Sequence, residues 1–203
     1  MADETLSPER SLEVIEQERA DVRRKLSASV GVLNGMWAGL WFVSFLAFHL
    51  AGRGWPGPVI PYWVAGVITA VAIVAGVVVS AVLGVRSGRG LRGPSVLSGA
   101  LYGWSWTLSY GALVAVNLML QSNGLPKDLV PVLWSGTTMT LAGALCLAGG
   151  AMFRDIAFYA VGVVFLASAV VSVLVGMDYQ ALVLAVAGLL GFGSRAVVSV
   201  RRG

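Results

Sequence analysis

The sequence predicts an all-α fold, a polytopic transmembrane helix bundle of about six spans preceded by an amphipathic helix. Of the 203 residues, 57% are hydrophobic and 12% are charged, about half the charged fraction of a typical soluble domain. Residues 1–25 carry 12 of the 24 charges. The remaining 178 residues are therefore too apolar for a soluble core of this size.

Charged residues divide this apolar region into six uncharged segments. They cover residues 26–52, 54–85, 93–126, 129–153, 156–177 and 179–194, and a helix needs about 20 residues to cross the hydrocarbon. The predicted spans are 29–51, 60–84, 95–120, 130–153, 156–177 and 180–200. We assign residues 1–27 to a cytoplasmic or interfacial amphipathic helix and residues 28–203 to the transmembrane domain.

The N-terminal segment has the features of a helix over residues 8–26. Ser7 can cap it, Pro8 suits the first turn, and acidic residues precede basic ones, which matches the helix dipole. Leu12 and Ile15 begin an apolar stripe at helical spacing. The segment is interpreted either as a solvated lead-in to span one or as a docking helix on the membrane or on another protein.

The sixth span is short. Only 16 uncharged residues separate Asp178 from Arg195, roughly 24 Å of helix against a hydrocarbon core about 30 Å thick. Extension to residue 200 restores the length if Arg195 snorkels or faces the bundle. Asp155 and Asp178 are interpreted as ordinary charges at helix ends.

Positive charge predicts the orientation. Six alternating spans place 12 Lys and Arg residues on one side of the membrane and only Arg53 and Lys127 on the other. The positive-inside rule then puts both termini in the cytoplasm. Trp55, Trp63 and Trp134 fall near the opposite ends of their spans, where indole rings favour the interface.

Composition disfavours several functional classes. With one cysteine and one histidine, the chain alone cannot form a disulfide, a zinc triad or a bis-histidine haem site. The basic residues flank spans, which does not indicate nucleic-acid binding. The interiors of spans one to five contain no carboxylate, which disfavours an ion-coupled carrier. We predict no catalytic residue, no metal site and no cofactor, and interpret His49 as an interfacial side chain.

Small residues recur every four positions in the spans. Gly31, Gly35 and Gly39 form such a stripe in span one, and Gly99 and Gly103 begin another in span three. Small faces let helix backbones approach closely. The stripes predict helix packing within the subunit, with contacts between copies of the chain as the alternative.

Four tryptophans reach unusual depth for a residue that prefers the interface. Spans one, three and four place indole rings with hydroxyl and amide groups at similar depths, which predicts a cavity for a hydrophobic or weakly polar small molecule. The candidate lining residues are Asn34, Trp37, Trp41, Trp104, Ser105, Trp106, Thr137 and Thr138. The alternative is that these groups hydrogen-bond between helices.

The loop between spans two and three carries Arg86, Arg89 and Arg92 among glycines. Arginines in this position can hold anionic lipid headgroups or a cytoplasmic partner. The alternative interpretation is that these arginines only set the orientation of the neighbouring spans in the membrane.

Three segments carry a family resemblance: the run from Asn34 to Trp41, the Arg92-Gly-Pro loop leading into the run from Leu101 to Trp106, and the run from Leu145 to Gly150. The chain resembles small integral membrane proteins of high-GC Gram-positive bacteria for which no reaction is known, and the resemblance implies a bacterial plasma membrane location. It is more loosely similar to type-2 ABC exporter permeases, but it lacks their re-entrant segment between spans five and six.

These features predict a non-enzymatic membrane protein that acts through association, as an accessory or sensory subunit or as a homo-oligomer. Its expected partners are membrane lipids and either further copies of the chain or another membrane or cytoplasmic protein. The rival prediction is a permease subunit of an exporter for a hydrophobic molecule, driven by a separate ATPase.

Overall fold

The computed structural model describes residues 8–88 and 94–201. These residues form six α-helices and no strand, which confirms the all-α prediction. The helices are α1 (Pro8–Ala51), α2 (Tyr62–Gly88), α3 (Pro94–Ser122), α4 (Val130–Phe153), α5 (Ile156–Leu174) and α6 (Met177–Arg201).

Five of these helices contain segments long and apolar enough to cross a membrane, which is the pattern of a multi-pass membrane protein. The segments are Ser27–Ala51, Tyr62–Arg86, Val130–Phe153, Ile156–Leu174 and Met177–Arg201, and their ends lie within three residues of the predicted ones. The sixth helix, α3, has 29 residues and no charge but is not among the five. Its tryptophan, tyrosine and serine residues lower its hydropathy.

The predicted break between the amphipathic helix and span one is not observed. Helix α1 runs unbroken for 44 residues from Pro8 to Ala51, a length of roughly 66 Å. Residues 9–30 contain neither glycine nor proline, so no residue in this region favours ending the helix. Leu12 and Ile15 are exposed on it. The N-terminal part of α1 thus continues directly into span one, and its role as an amphipathic docking helix stays a prediction.

Contacts between neighbours link the helices in the order α2, α1, α6, α5, α4 and α3. Helix α1 packs most extensively on α6 and also holds α2, while α4 packs on α5 and holds α3. We call α1, α2 and α6 the first half and α3, α4 and α5 the second half. The contact between α5 and α6, with a smaller one between α4 and α6, joins the two halves.

The main core lies where the two halves meet. Its buried residues come from α1, α4, α5 and α6, and they are Ala38, Met139, Ala142, Cys146, Val161, Phe165, Ala169, Leu184, Ala187 and Phe192. Many of these side chains are small, and the largest are two phenylalanines and one methionine. The core therefore depends on close helix approach as much as on large apolar side chains.

Glycines permit the closest approach between α4 and α5. A Cβ at Gly150 would lie 2.5 Å from the backbone nitrogen of Tyr159, and a Cβ at Gly162 would lie 2.7 Å from the backbone nitrogen of Leu147. Backbone atoms cannot move aside as a flexible side chain can. These two positions therefore require glycine for the observed packing.

Candidate functional site

Trp41 fills the junction of the two halves. Its indole stacks on Phe165 of α5 with ring centroids 5.4 Å apart and meets Phe192 of α6 edge-on at 5.9 Å. Gly188 of α6 makes room for it, since a Cβ there would lie 2.9 Å from the Trp41 Cβ. Trp41 is thus packed against its neighbours on both sides of the junction, which is the geometry of a core side chain.

Trp37 joins α1 to α2. Its indole N–H donates to the Ser80 hydroxyl at 3.0 Å, and that hydroxyl donates to the Gly76 carbonyl at 2.6 Å. A Cβ at Gly76 would lie 2.8 Å from the indole ring. The Gly76–Ser80 stretch of α2 therefore provides both the space and the hydrogen-bond partner for Trp37, as expected for an interhelical contact in a membrane.

The two tryptophans of α3 point in different directions. Trp106 stacks on Tyr110 with centroids 6.0 Å apart and packs against the main core. Trp104 is 63% exposed. Of the four tryptophans, Trp37, Trp41 and Trp106 flank the main core, whereas Trp104 lies on the outer surface of the chain.

The polar members of the predicted cavity find partners close by. Asn34 donates to the Val30 carbonyl one turn earlier, and Ser105 donates to the carbonyls of its own helix. The Thr137 hydroxyl accepts from buried Asn117 at 3.1 Å, and the Thr138 carbonyl accepts from the Tyr110 hydroxyl at 2.9 Å. The structure thus leaves Trp104 exposed and gives the other seven predicted residues separate contacts within or between helices, and the predicted ligand cavity stays a prediction.

The predicted packing glycines fall into two groups. A Cβ at Gly31 would lie 3.1 Å from Val200, and one at Gly35 would lie 3.8 Å from Ala196, so both face α6. A Cβ at Gly39, Gly99 or Gly103 would meet no atom of the described chain within 4 Å. These three glycines lie on no helix contact within the described residues.

Of the predicted arginine loop, the structure places one residue. Arg86 is exposed in the last turn of α2. Arg89 and Arg92 lie outside the described residues. The loop therefore stays a candidate for contact with lipid headgroups or a cytoplasmic partner.

The sequence interpretation missed an ion pair at the end of the bundle where α4 meets α5. Arg195 of α6 donates to the Asp155 carboxylate at 2.6 Å, and its guanidinium lies 4.3 Å from the centroid of the Phe158 ring. The side chains of Arg195 and Asp155 are 12% and 29% exposed. Arg195 therefore faces the bundle, and this pairing lets α6 extend as a helix of 25 residues.

Asp155 also caps α5. Its second carboxylate oxygen accepts from the Phe158 backbone N–H at 3.0 Å. Burial raises the pKa of the Asp155 carboxyl, but the Phe158 amide and the Arg195 guanidinium favour its charged form more strongly and hold the pKa below the ordinary 3.8. Asp155 is thus a junction between α5 and α6, and it is more than the ordinary helix-end charge that the sequence suggested.

One signal in the sequence could have identified this pair. Arg195 interrupts an apolar segment, and a charge in such a place needs a partner or a route to water. Outside the N-terminal segment, Asp155 is the one carboxylate that six alternating spans place on the same side of the membrane as Arg195. The spacing of 40 residues gives no local pattern, so only the topology connects the two residues.

Tyr102 anchors α3 close to this pair. Its hydroxyl donates to the Leu145 carbonyl at 2.7 Å, and its ring meets Phe153 and Phe158 edge-on at 5.4 and 6.4 Å. A Cβ at Gly149 would collide with the Tyr102 hydroxyl. Edge-on aromatic contacts and the polar groups of Tyr102 and Asp155 therefore hold the helices of the second half together at this end.

The opposite end of the bundle holds the one histidine of the chain. His49 is 6% exposed in the last turn of α1, and its Nε2 lies 3.1 Å from the Trp55 carbonyl. Its Nδ1 is buried and has no hydrogen-bond partner among the described residues. The ring also lies 6.2 Å from that of Tyr179 in α6.

The described residues contain no group of three His, Cys, Asp or Glu side chains that could hold a metal ion. Cys146 is a free thiol buried in the main core. Comparisons of the chain with models of known protein families, with curated proteins and with solved structures found no match.

Proposed function

We propose that this chain is a non-enzymatic, six-span subunit of a bacterial plasma membrane that works by associating with further copies of itself or with another protein. Both termini then lie in the cytoplasm. The observation that carries the proposal is the packing of α3. This helix is held by α4, while a small-residue face beside that contact has no partner in the described chain.

The contacts of α3 support its crossing of the membrane. Its hydrogen bonds run in antiparallel order along α4, from Tyr102 with Leu145 to Tyr110 with Thr138. Helix α4 meets the length and hydropathy of a span. The bonded positions of α4 lie between residues 137 and 145, inside that span. A helix that packs beside the middle of a span shares the bilayer with it, and the polar side chains that lower the hydropathy of α3 are partly those that bind α4.

The small-residue face of α3 supports association. Gly99, Gly103 and Gly111 have open space where a Cβ would stand. Each glycine in a helix costs about 1 kcal/mol in propensity relative to alanine. For the glycines that face α6, α5 or Trp37, close helix packing offsets this cost. Gly99, Gly103 and Gly111 make no such contact within the described chain. A helix from outside the chain would supply that packing.

The arrangement of the termini follows from the charges. With six crossings, the side that receives Arg86, Arg154, Arg195 and Arg201 also receives the N-terminal charges, while Arg53 and Lys127 lie on the other. Positive-inside topology then makes the first side cytoplasmic. Arg86 and residues 12–18 of α1 are exposed on that side, where they can meet anionic lipids or a cytoplasmic partner.

The test is native mass spectrometry of the protein extracted from its own membranes in a mild detergent. We expect an assembly larger than the single chain, and we expect Gly103→Leu to dissociate it without lowering the unfolding temperature of the chain. The matched control is Gly84→Leu on α2, which also fills open space and should leave the assembly intact.

Three results would count against the proposal. A single chain without a partner in native membranes would contradict association. An assembly that Gly103→Leu leaves unchanged would remove α3 from the interface. A co-purifying ATPase would instead favour the exporter permease.

A further inference from the structure

A groove lies at the end of α6, beside the contact of this helix with α1. Its volume is about 320 Å³, and its described lining residues are Ala196, Val197, Val200 and Arg201. Two of these residues also meet α1, since a Cβ at Gly31 would lie 3.1 Å from the Val200 side chain and 3.5 Å from the Ala196 carbonyl. This groove, which we call the α6 groove, therefore borders the α1–α6 contact.

The α6 groove changes from apolar to charged along the helix. Val197 and Val200 are 52% and 68% exposed, and Arg201 is exposed where the apolar segment Met177–Arg201 ends. Apolar surface thus lies towards the middle of the span and a cation lies at its end. A phospholipid has the same order of groups, with acyl chains in the hydrocarbon and a phosphate at the interface.

The Arg201 guanidinium is available to an anion. In the part of the chain that the structure describes, Asp155 pairs with Arg195, and no carboxylate pairs with Arg201. An exposed guanidinium can donate two parallel N–H bonds to a phosphate, which a flexible ammonium group cannot do. Arg201 therefore has the chemistry of a phosphate ligand at the charged end of the α6 groove.

The register of α1 against α6 brings further positive charge to this end of the bundle. The two helices run antiparallel, and Gly31 lies beside Val200, so Arg201 is level with about residue 30 of α1. The run Arg23-Arg24-Lys25 occupies α1 about five to seven residues further along, roughly 8–10 Å at the rise of an α-helix. This distance is comparable to the Debye length of about 8–10 Å at physiological salt. The potential of these three basic residues therefore reaches the α6 groove.

We propose that the α6 groove binds one anionic phospholipid. An acyl chain lies against Val197 and Val200, and the phosphate accepts hydrogen bonds from Arg201. The positive charge of the Arg23-Arg24-Lys25 run raises the local concentration of anionic lipid. A zwitterionic phospholipid makes the same apolar contacts, but its ammonium group cancels the attraction to the basic residues.

The α6 groove is separate from the small-residue face of α3. The inference rests on the proposed function only for orientation, which places the groove in the cytoplasmic leaflet. Lipid binding by the purified chain depends neither on orientation nor on assembly. A failure of lipid binding therefore leaves the proposed association intact, and a failure of association leaves the lipid site intact.

The experiment is native mass spectrometry of the intact protein in detergent, titrated with phosphatidylglycerol or with phosphatidylcholine of the same acyl chains. We expect phosphatidylglycerol to bind more tightly. Arg201→Gln should weaken its binding about fivefold, the effect of one cation at the membrane surface, and leave the binding of phosphatidylcholine unchanged. Arg86→Gln is the matched control, because Arg86 is exposed in the last turn of α2, and it should leave both affinities unchanged.

A second pair of variants tests the apolar part of the site. Val197→Trp fills the α6 groove without changing the charge and should weaken the binding of phosphatidylglycerol. Val82→Trp places the same side chain at an exposed position of α2 and should not weaken it.

Four results would overturn the proposal. They are equal binding of the two lipids, equal weakening by Arg201→Gln and Arg86→Gln, unchanged binding of phosphatidylglycerol to Val197→Trp, and displacement of the lipid by an equal concentration of soluble glycerophosphate. The last result would show that the site binds a free phosphate and not a lipid.

Discussion

At the scale of single residues, the tryptophans have roles that depend on which face of the helix they occupy. Trp41 is packed between Phe165 and Phe192, Trp37 bonds to Ser80, and Trp104 is exposed. Their depth along the helix could be read from the sequence. Their direction around the helix axis could not, because it depends on where the neighbouring helices lie.

The ion pair between Arg195 and Asp155 is the polar contact with the largest expected effect on stability. Asp155→Asn removes the negative charge and leaves the Arg195 guanidinium largely buried. We expect the free energy of unfolding to fall by about 1–3 kcal/mol. Denaturant unfolding in detergent measures it, with Asp128→Asn in the exposed α3–α4 loop as the control.

A double variant separates pairing from other effects of the substitution. Asp155→Asn combined with Arg195→Gln should cost less than the two single changes together, because the second change removes the unpaired charge. Strictly additive losses would show that the two side chains contribute independently.

The same pair predicts a dependence of stability on acid. The pKa of Asp155 is lower in the folded protein than its ordinary value of 3.8, so the contribution of this carboxylate is complete above that value and is lost as the pH falls towards the folded-state pKa. Unfolding measured between about pH 6 and pH 3 should show a decline below about pH 4. The Asp155→Asn chain should lack that component, and an equal decline in both chains would assign it to other carboxylates.

At the scale of helices, close packing of α4 on α5 is the contact most sensitive to added volume. A Cβ at Gly150 would lie 2.5 Å from the Tyr159 backbone, so Gly150→Ala should lower the free energy of unfolding by about 1–3 kcal/mol. Gly84→Ala meets open space on α2 and should change it by less than about 0.5 kcal/mol. Equal effects at the two positions would contradict the close approach of these helices.

Helix bounds were readable from the sequence because charges and turn residues interrupt the apolar segments. Gly124 and Gly176, for example, take positive φ angles of 91° and 86° in the turns after α3 and α5. The continuity of α1 was not foreseen, since the change from charged to apolar residues near residue 27 resembles a boundary. A change in polarity does not end a helix when no residue there breaks it.

At the scale of the whole molecule, two three-helix halves meet at the main core. The first half is held by α1 against α6, the second by α4 against α5, and Trp41 with the Arg195–Asp155 pair crosses between them. Helices α2 and α3 are consecutive in the chain but are held by different neighbours, α1 and α4. This order could not be predicted from the sequence, because span length fixes depth but not which spans are neighbours.

The crossing of α3 decides both the topology and the proposed interaction surface. In the proposed orientation, Lys127 lies outside and the end of α6 lies in the cytoplasm if α3 crosses. If α3 does not cross, both positions exchange sides, while the proposed orientation keeps Arg53 outside and Glu13 inside in either case.

The most direct test of the account is therefore cysteine labelling in intact cells with a membrane-impermeant maleimide, in a chain carrying Cys146→Ala. Single cysteines are introduced as Lys127→Cys and Arg201→Cys, with Arg53→Cys as the outside control and Glu13→Cys as the inside control. We predict labelling of intact cells at positions 53 and 127, and labelling at positions 13 and 201 only after permeabilisation. Labelling of position 201 in intact cells, with position 127 protected, would contradict six crossings and remove α3 from the membrane.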